Sequence, residues 1–166
     1  TPIDSLSRSI VALGFMTIRD IATSASVIPY FYNANGSAGI DLPGLWTHSM
    51  GTAKAAQLIA ESIHFGNQGI VFITGLLHDI GKIPLNNRLA RIYVDTLSSS
   101  DAEGLPLYVS ETQQLGMNHA EVGTIIAENW KLSDEIGDVV GHHHSTETYT
   151  GNYRDIVYTV ALANYF

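Results

Sequence analysis

The stretch GLLHDIGK, residues 75–82, sets an imidazole and a carboxylate side by side, His78 and Asp79, directly after an apolar run. A core helix gains nothing from two such polar residues at its tip, whereas a metal ion accepts both donors. Further imidazoles stand at His48, at His119 and in the run His142-His143-His144, each in a separate segment. Nitrogen and carboxylate donors without thiolate suit Zn, Fe, Mn, Co or Ni, as one ion or two. Neighbouring helical residues point about 100° apart, so His78 and Asp79 converge on one ion only at a helix end, which Gly81 would supply. The second oxygen of Asp79 can bridge to another ion. Two ions roughly 4 Å apart can activate a water and hold a phosphoryl oxygen. Lys82, one turn from His78, is placed to meet a phosphate as a point charge.

Each of these residues also has a simpler use. His48 alone reads as a partly buried, hydrogen-bonded histidine. His78 and Asp79 could be a helix-end histidine meeting the dipole beside a turn aspartate. His119 fits the first turn of a helix, Glu121 a cap, Lys82 a helix-end cation, and His64 a structural or surface position. Of three consecutive histidines, only one or two can face the same point. The case for a metal rests on the set, because chance rarely arranges so many histidines among apolar helices.

The elements that must position this set are helical, with little strand alternation. The pattern predicts helices from Asp4 to Leu13, broken by Gly14, and from Thr17 through Ile18 and Ile21. A loop follows over residues 33–43, rich in Asn, Gly and Ser, read as mobile and as the one candidate internal boundary. A long helix is expected from Leu45 to Ile63, closed by Gly66 in the left-handed conformation. Asn67 should cap the next, QGIVFITGLLHDIGK, residues 68–82. Pro84 and Asn86-Asn87 punctuate before a helix at RLARIYVDTL, and SSSDAEG reads as a turn. Pro106 opens another helix, up to Gly116. Asn118 and Glu121 form a capping-box pattern, Ser133 caps DEIGDVVGHHH, STETYTGNY is irregular, and Asp155 caps the last helix. The sum is an all-α bundle of about eight helices, a site format in which each helix contributes one or two ligands.

The bulk numbers agree with one folded domain spanning 1–166. The chain has 166 residues, 45% apolar and 14% charged, which is a globule and not a disordered segment. It begins at Thr1 and ends in VYTVALANYF, and is read as a piece of a longer protein. The absence of cysteine excludes disulfides and fits a reducing, cytoplasmic setting. No apolar run reaches the roughly 18 residues that span a bilayer. A net charge of −8 repels a nucleic-acid backbone, and the same excess of carboxylate favours cations.

The order His, His-Asp, His, His-His resembles the HD superfamily of metal-dependent phosphohydrolases, and more narrowly its HDOD branch. The resemblance is carried by SIVALGFMTIRDIA, LWTHSMGTAKAAQLIAE, FITGLLHDIGKIPL, LGMNHAEVGTIIAENWKLSDEIGDVVGHHH and VALAN, in that order along nearly the whole chain. It implies metal ligands at His48, His78, Asp79, His119 and His142, with His143 beside them. Lys82 matches the lysine that related HD-GYP phosphodiesterases set near substrate phosphate, while Asp79 would be the central catalytic carboxylate. The chain departs from the pattern in three places. Asn164 stands where the superfamily usually closes its first site with an aspartate, Gly44 stands where a third-metal glutamate would precede His48, and the GYP element is missing. The resemblance further implies that earlier N-terminal helices of the family are missing from this sequence.

Two functions compete at this stage. One is an enzyme that hydrolyses a phosphoester or nucleotide. The other is an inactive scaffold, binding metal, nucleotide or a protein partner. The HDOD resemblance implies bacterial signalling and regulation beside other signalling modules, with no direct nucleic-acid or membrane binding.

Overall fold

The computed structural model describes residues 39–166 and, of the preceding segment, Ile18, Ala22, Ala25 and Ser26, which are helical. The predicted helix over 4–13, its break at Gly14, the cap at Thr17 and most of the 33–43 loop lie outside the described residues. Among the described residues the chain is all helical. Seven α-helices are ordered α1 Leu42–Ser62, α2 Gln68–Leu77, α3 Lys82–Glu103, α4 Leu107–Leu115, α5 His119–Asn129, α6 Asp134–His142 and α7 Arg154–Asn164. A 3-10 turn at Thr146–Thr148 precedes the last.

Helix α2 is the centre of the bundle. It packs against α1, α6 and α7, which is why its sequence is apolar nearly all round instead of along one stripe. Asn67 caps it as expected, its side chain accepting the Ile70 N–H at 3.3 Å. Helix α1 lies close along it. A Cβ on Gly75 of α2 would sit 2.8 Å from Ala53 Cα, so only glycine permits this crossing. Leu42, Leu77, Val139, Val157 and Val160 are among the residues that complete the core.

Helix α1 starts three residues earlier than the apolar pattern places it, because Pro43 sits in the first turn, where a missing N–H costs nothing. Its end is a Schellman motif. Phe65 N–H bonds Ala60 O at 2.9 Å, and His64 N–H bonds Glu61 O at 3.1 Å. The left-handed residue is His64 (φ 56°), not Gly66. The glycine comes two positions too late to serve that motif.

Other boundaries also move. SSSDAE continues α3 to its left-handed cap at Gly104 (φ 63°). Within α3, Ser98 returns its hydroxyl to Val94 O at 3.0 Å and Ser100 to Leu105 O at 2.8 Å, which satisfies polar side chains inside a helix. Pro84 falls in the first turn of α3, and the break in that helix lies at Leu89 (φ −114°, ψ 19°). Asn86 is buried and accepts the Ile40 N–H at 2.9 Å, tying the approach to α1 onto α3. Pro106 is the N-cap of α4 and lies just outside it. Ser133 holds the N-cap position of α6, but its side chain makes no capping bond. Asp155 lies in the first turn of α7, whose N-cap is Tyr153. The capping box of α5 forms as the pattern requires: Asn118 accepts from Ala120 and Glu121 N–H, and Glu121 accepts the Asn118 N–H at 2.8 Å.

Gly81 has a different use from the one its position suggests. Helix α2 already ends at Leu77, and Gly81 is the N-cap of α3 with an ordinary φ of −65°. A Cβ there would meet His119 O at 1.9 Å and Gly123 N at 2.7 Å. The missing side chain lets the start of α5 press against the turn that carries His78 and Asp79.

Candidate metal centre

Five helix termini and one helix face meet at Asp79. His78 and Asp79 occupy the turn between α2 and α3, beyond the last helical residue of α2. The two side chains converge there, His78 Nε2 lying 3.3 Å from Asp79 Oδ2. His119 is the first residue of α5, and His143 and His144 follow the last residue of α6. His48 projects from the first half of α1, and Asn164 ends α7. Asp79, His78, His119 and His143 are buried, whereas the His48 side chain is 42% exposed.

The carboxylate divides the cluster in two. Asp79 Oδ1 faces His119 Nε2 at 3.2 Å and His143 Nε2 at 3.6 Å, and His144 Nε2 lies 3.0 Å from His119 Nε2. Asp79 Oδ2 faces His78 Nε2 at 3.3 Å, His48 Nε2 at 3.5 Å and Lys82 Nζ at 2.6 Å. Asn164 Oδ1 stands 3.1 Å from His78 Nε2 and also interacts with His48. The first group forms an inner set of Asp79, His119, His143 and His144, and the second an outer set of His48, His78 and Asp79. In each set the potential donor atoms lie within 4.8 Å of one another.

The far side of each ring shows which nitrogen is free. His78 Nδ1 lies 2.7 Å from Gly75 O, and His143 Nδ1 lies 2.9 Å from Val140 O. A carbonyl only accepts, so both Nδ1 atoms carry the proton and both Nε2 atoms of the neutral rings present lone pairs. His119 Nδ1 is held 2.6 Å from Glu111 Oε2 in the same way. Lone pairs of His78 and His143 thus point at an anionic carboxylate, and His119 Nε2 faces the same group. Asp79 Oδ1 and His143 Nε2 are buried without a hydrogen-bond partner. Such an arrangement is costly by itself and becomes favourable around a cation. The residues present therefore fit a divalent metal.

The electrostatics agree. Burial pushes the Asp79 carboxyl up, but His78, Lys82, His119 and His143 together hold it well below the usual range, so it is anionic. Burial lowers His143 to about 4 and, with His143 and His119 beside it, His144 to about 2. Both rings are neutral donors at neutral pH. Burial opposes the charge on His119, yet the carboxylates of Asp79 and Glu111 on either side of its ring raise its pKa.

Of the residues expected from sequence, His48, His78, Asp79, His119, His143 and Asn164 come together. His142 does not. It is the last residue of α6, with Nδ1 on Asp138 O at 3.0 Å and its ring against Tyr149. The helix stops at His142, two residues short of the expected DEIGDVVGHHH, and it is the two histidines beyond its end that reach the cluster. Lys82 is paired with Asp79 and is not reaching toward open space.

Sequence reasoning missed two residues. His144 stacks on Tyr108, ring centroids 4.5 Å apart, and completes the inner set. Glu111 is fully buried in α4, accepting from His119 N–H at 2.8 Å and from the Tyr93 hydroxyl at 2.5 Å. One signal for Glu111 was available: it lies four residues from both Leu107 and Leu115, on the stripe where a carboxylate is out of place.

Histidines from four helices gathered about one buried aspartate define an all-α His–Asp domain with a cluster suited to a metal ion. The HDOD domain model matches residues 1–146, and the chain belongs to the HDOD domain family. An HDOD domain protein of unknown function from Geobacter sulfurreducens is 30% identical with a TM-score of 0.80 over 99% of this chain and 55% of its own. A candidate phosphohydrolase from Shewanella amazonensis SB2B is 21% identical with a TM-score of 0.74 over 98% and 58%, a likeness of fold. An uncharacterised protein of Treponema pallidum (strain Nichols) is 25% identical over 123 residues, 72% of this chain and 24% of its own length. The chain thus spans about a quarter of that relative and just over half of these two solved chains. Among the described residues, no helix is long and apolar enough to cross a membrane.

Proposed function

We propose that this domain is a bacterial, cytoplasmic signalling or regulatory module whose centre holds a divalent transition metal and takes a phosphoester or nucleotide ligand beside it. The observation that carries the metal reading is the convergence of imidazole Nε2 atoms on Asp79, with Asp79 Oδ1 and His143 Nε2 buried and without a hydrogen-bond partner. Description of Shewanella amazonensis neighbours as candidate phosphohydrolases, one of them metal-dependent, supports the ligand class.

Asp79, His119, His143 and His144 would hold the ion, and His48, His78 and Asn164 would line its outer side. A bound divalent ion supplies Lewis acidity and lowers the pKa of water. The chain's own residues do the rest. Glu111 and two backbone carbonyls fix the tautomers of His119, His78 and His143. Burial excludes bulk water from the inner set, and half-exposed His48 marks the side from which a ligand enters. Its pKa is lowered by burial against the pull of Asp79, so it can accept a proton there.

A second reading, ligand binding without turnover, is favoured by the neutral amide of Asn164 and by the direct pairing of Lys82 with Asp79. Phosphodiesterase assays with Mn or Fe supplied separate the two. Turnover lost in Asp79→Ala supports the enzyme, whereas nucleotide binding with no turnover above that variant supports the regulatory scaffold. Other signalling domains of a longer chain would be the recipients of the signal.

A further inference from the structure

Lys82 Nζ lies 2.6 Å from Asp79 Oδ2, the oxygen that His78 Nε2 faces at 3.3 Å and His48 Nε2 at 3.5 Å. The ammonium therefore engages the one anionic atom on which an outer ion would depend. It is held there by short connectivity. Lys82 begins α3, three residues beyond Asp79, and its side chain is only 17% exposed. The remaining outer donors are two imidazoles and the Asn164 amide, all neutral.

The inner set differs on each count. Its oxygen, Asp79 Oδ1, has no ammonium on it and faces only imidazoles, His119 Nε2 at 3.2 Å and His143 Nε2 at 3.6 Å. It gathers three imidazoles, and a second buried carboxylate, Glu111, stands behind His119. Two divalent ions would share a single carboxylate ligand, leaving uncompensated positive charge in a desolvated place.

We propose that Lys82 acts as a built-in second cation, so that the centre takes one divalent ion, at the inner set, while the ammonium closes the outer set. This rests on the metal reading above. It gives Lys82 a role that depends on its charge at Asp79, with no phosphate required. Removing that charge should open the outer set to a second ion, and keeping it as a guanidinium should not.

The test is isothermal titration of the chelator-stripped chain with Mn(II), with metal content of the dialysed complex measured in parallel. Wild type and Lys82→Arg are expected to bind one equivalent. Lys82→Gln is expected to bind two, the second more weakly, and adding His48→Ala to Lys82→Gln should return the count to one. Helical circular dichroism confirms that each variant is folded, and Lys82→Arg tests the idea without leaving Asp79 unpaired. Two equivalents in wild type, two in Lys82→Arg, or one in folded Lys82→Gln would overturn the role of Lys82 while leaving the metal reading intact. No binding in wild type would remove both.

Discussion

Gly81 lies so close to His119 that a side-chain carbon on the first would stand 1.9 Å from the carbonyl oxygen of the second. That approach seats the start of α5 against the turn bearing Asp79. Gly81→Ala must push α5 outward, and with it His119. Overpacking of this kind costs about 1–3 kcal/mol. Here the clash is with backbone, which cannot rotate away, so the upper end is expected. Urea denaturation should show that loss, and Mn(II) affinity should fall with it.

Glu111 holds His119 by two bonds, to its backbone N–H and to Nδ1. Outer partners of this type are worth about 10–100-fold in metal affinity. Glu111→Gln should weaken Mn(II) binding within that range, while Tyr93→Phe, which removes only the bond to the other carboxylate oxygen, should have a smaller effect. Titration of both variants at one pH checks the order.

His142 and His144 are two residues apart and face different surroundings. His144→Ala should reduce metal affinity markedly, and His142→Ala should leave it within about twofold because surface-side changes are usually near neutral. Reversal of that order in calorimetry would show that α6 ends elsewhere.

Acid should unfold the metal-free chain early. Burial lowers His143 from 6.5 to about 4, so the unfolded chain takes up its proton first. The stability His143 contributes is complete above about pH 6.5 and lost as pH falls toward 4. Asp79, held well below 3.8 despite burial, contributes stability above that value and loses it as pH falls through the folded value. His119 is raised, so its contribution is complete below 6.5 and declines as pH rises through its folded value. Lowered His143 and His144 outweigh it. The melting temperature should therefore drop between about pH 6.5 and 4, and Mn(II) affinity should decline over the same window because protonated imidazole is no ligand.

The helical class and most of the histidine set were legible because they rest on patterns with a physical period. The apolar face of α1, the cap at Asn67, and the capping box at Asn118 and Glu121 are local features. What escaped depends on tertiary contact. Gly81 is needed for a neighbour 38 residues away in sequence, and Glu111 shows only an odd place on the Leu107–Leu115 stripe until α4 is packed on α3. His144 took the place of His142 because α6 stops at His142, short of the expected end of the histidine run, so the rings beyond the helix reach the cluster. His64 took the left-handed cap that Gly66 was expected to fill, since the Schellman bonds fix the position by count from Ala60 and Glu61.

The central claim is that Asp79 and the imidazoles around it hold a metal ion. Elemental analysis of the chain purified without added metal or chelator tests this most directly. About one equivalent of a divalent transition metal in wild type, lost in a folded Asp79→Ala variant, is the predicted result. Metal-free wild type that also fails to bind Mn(II), or equal metal in Asp79→Ala, would contradict it.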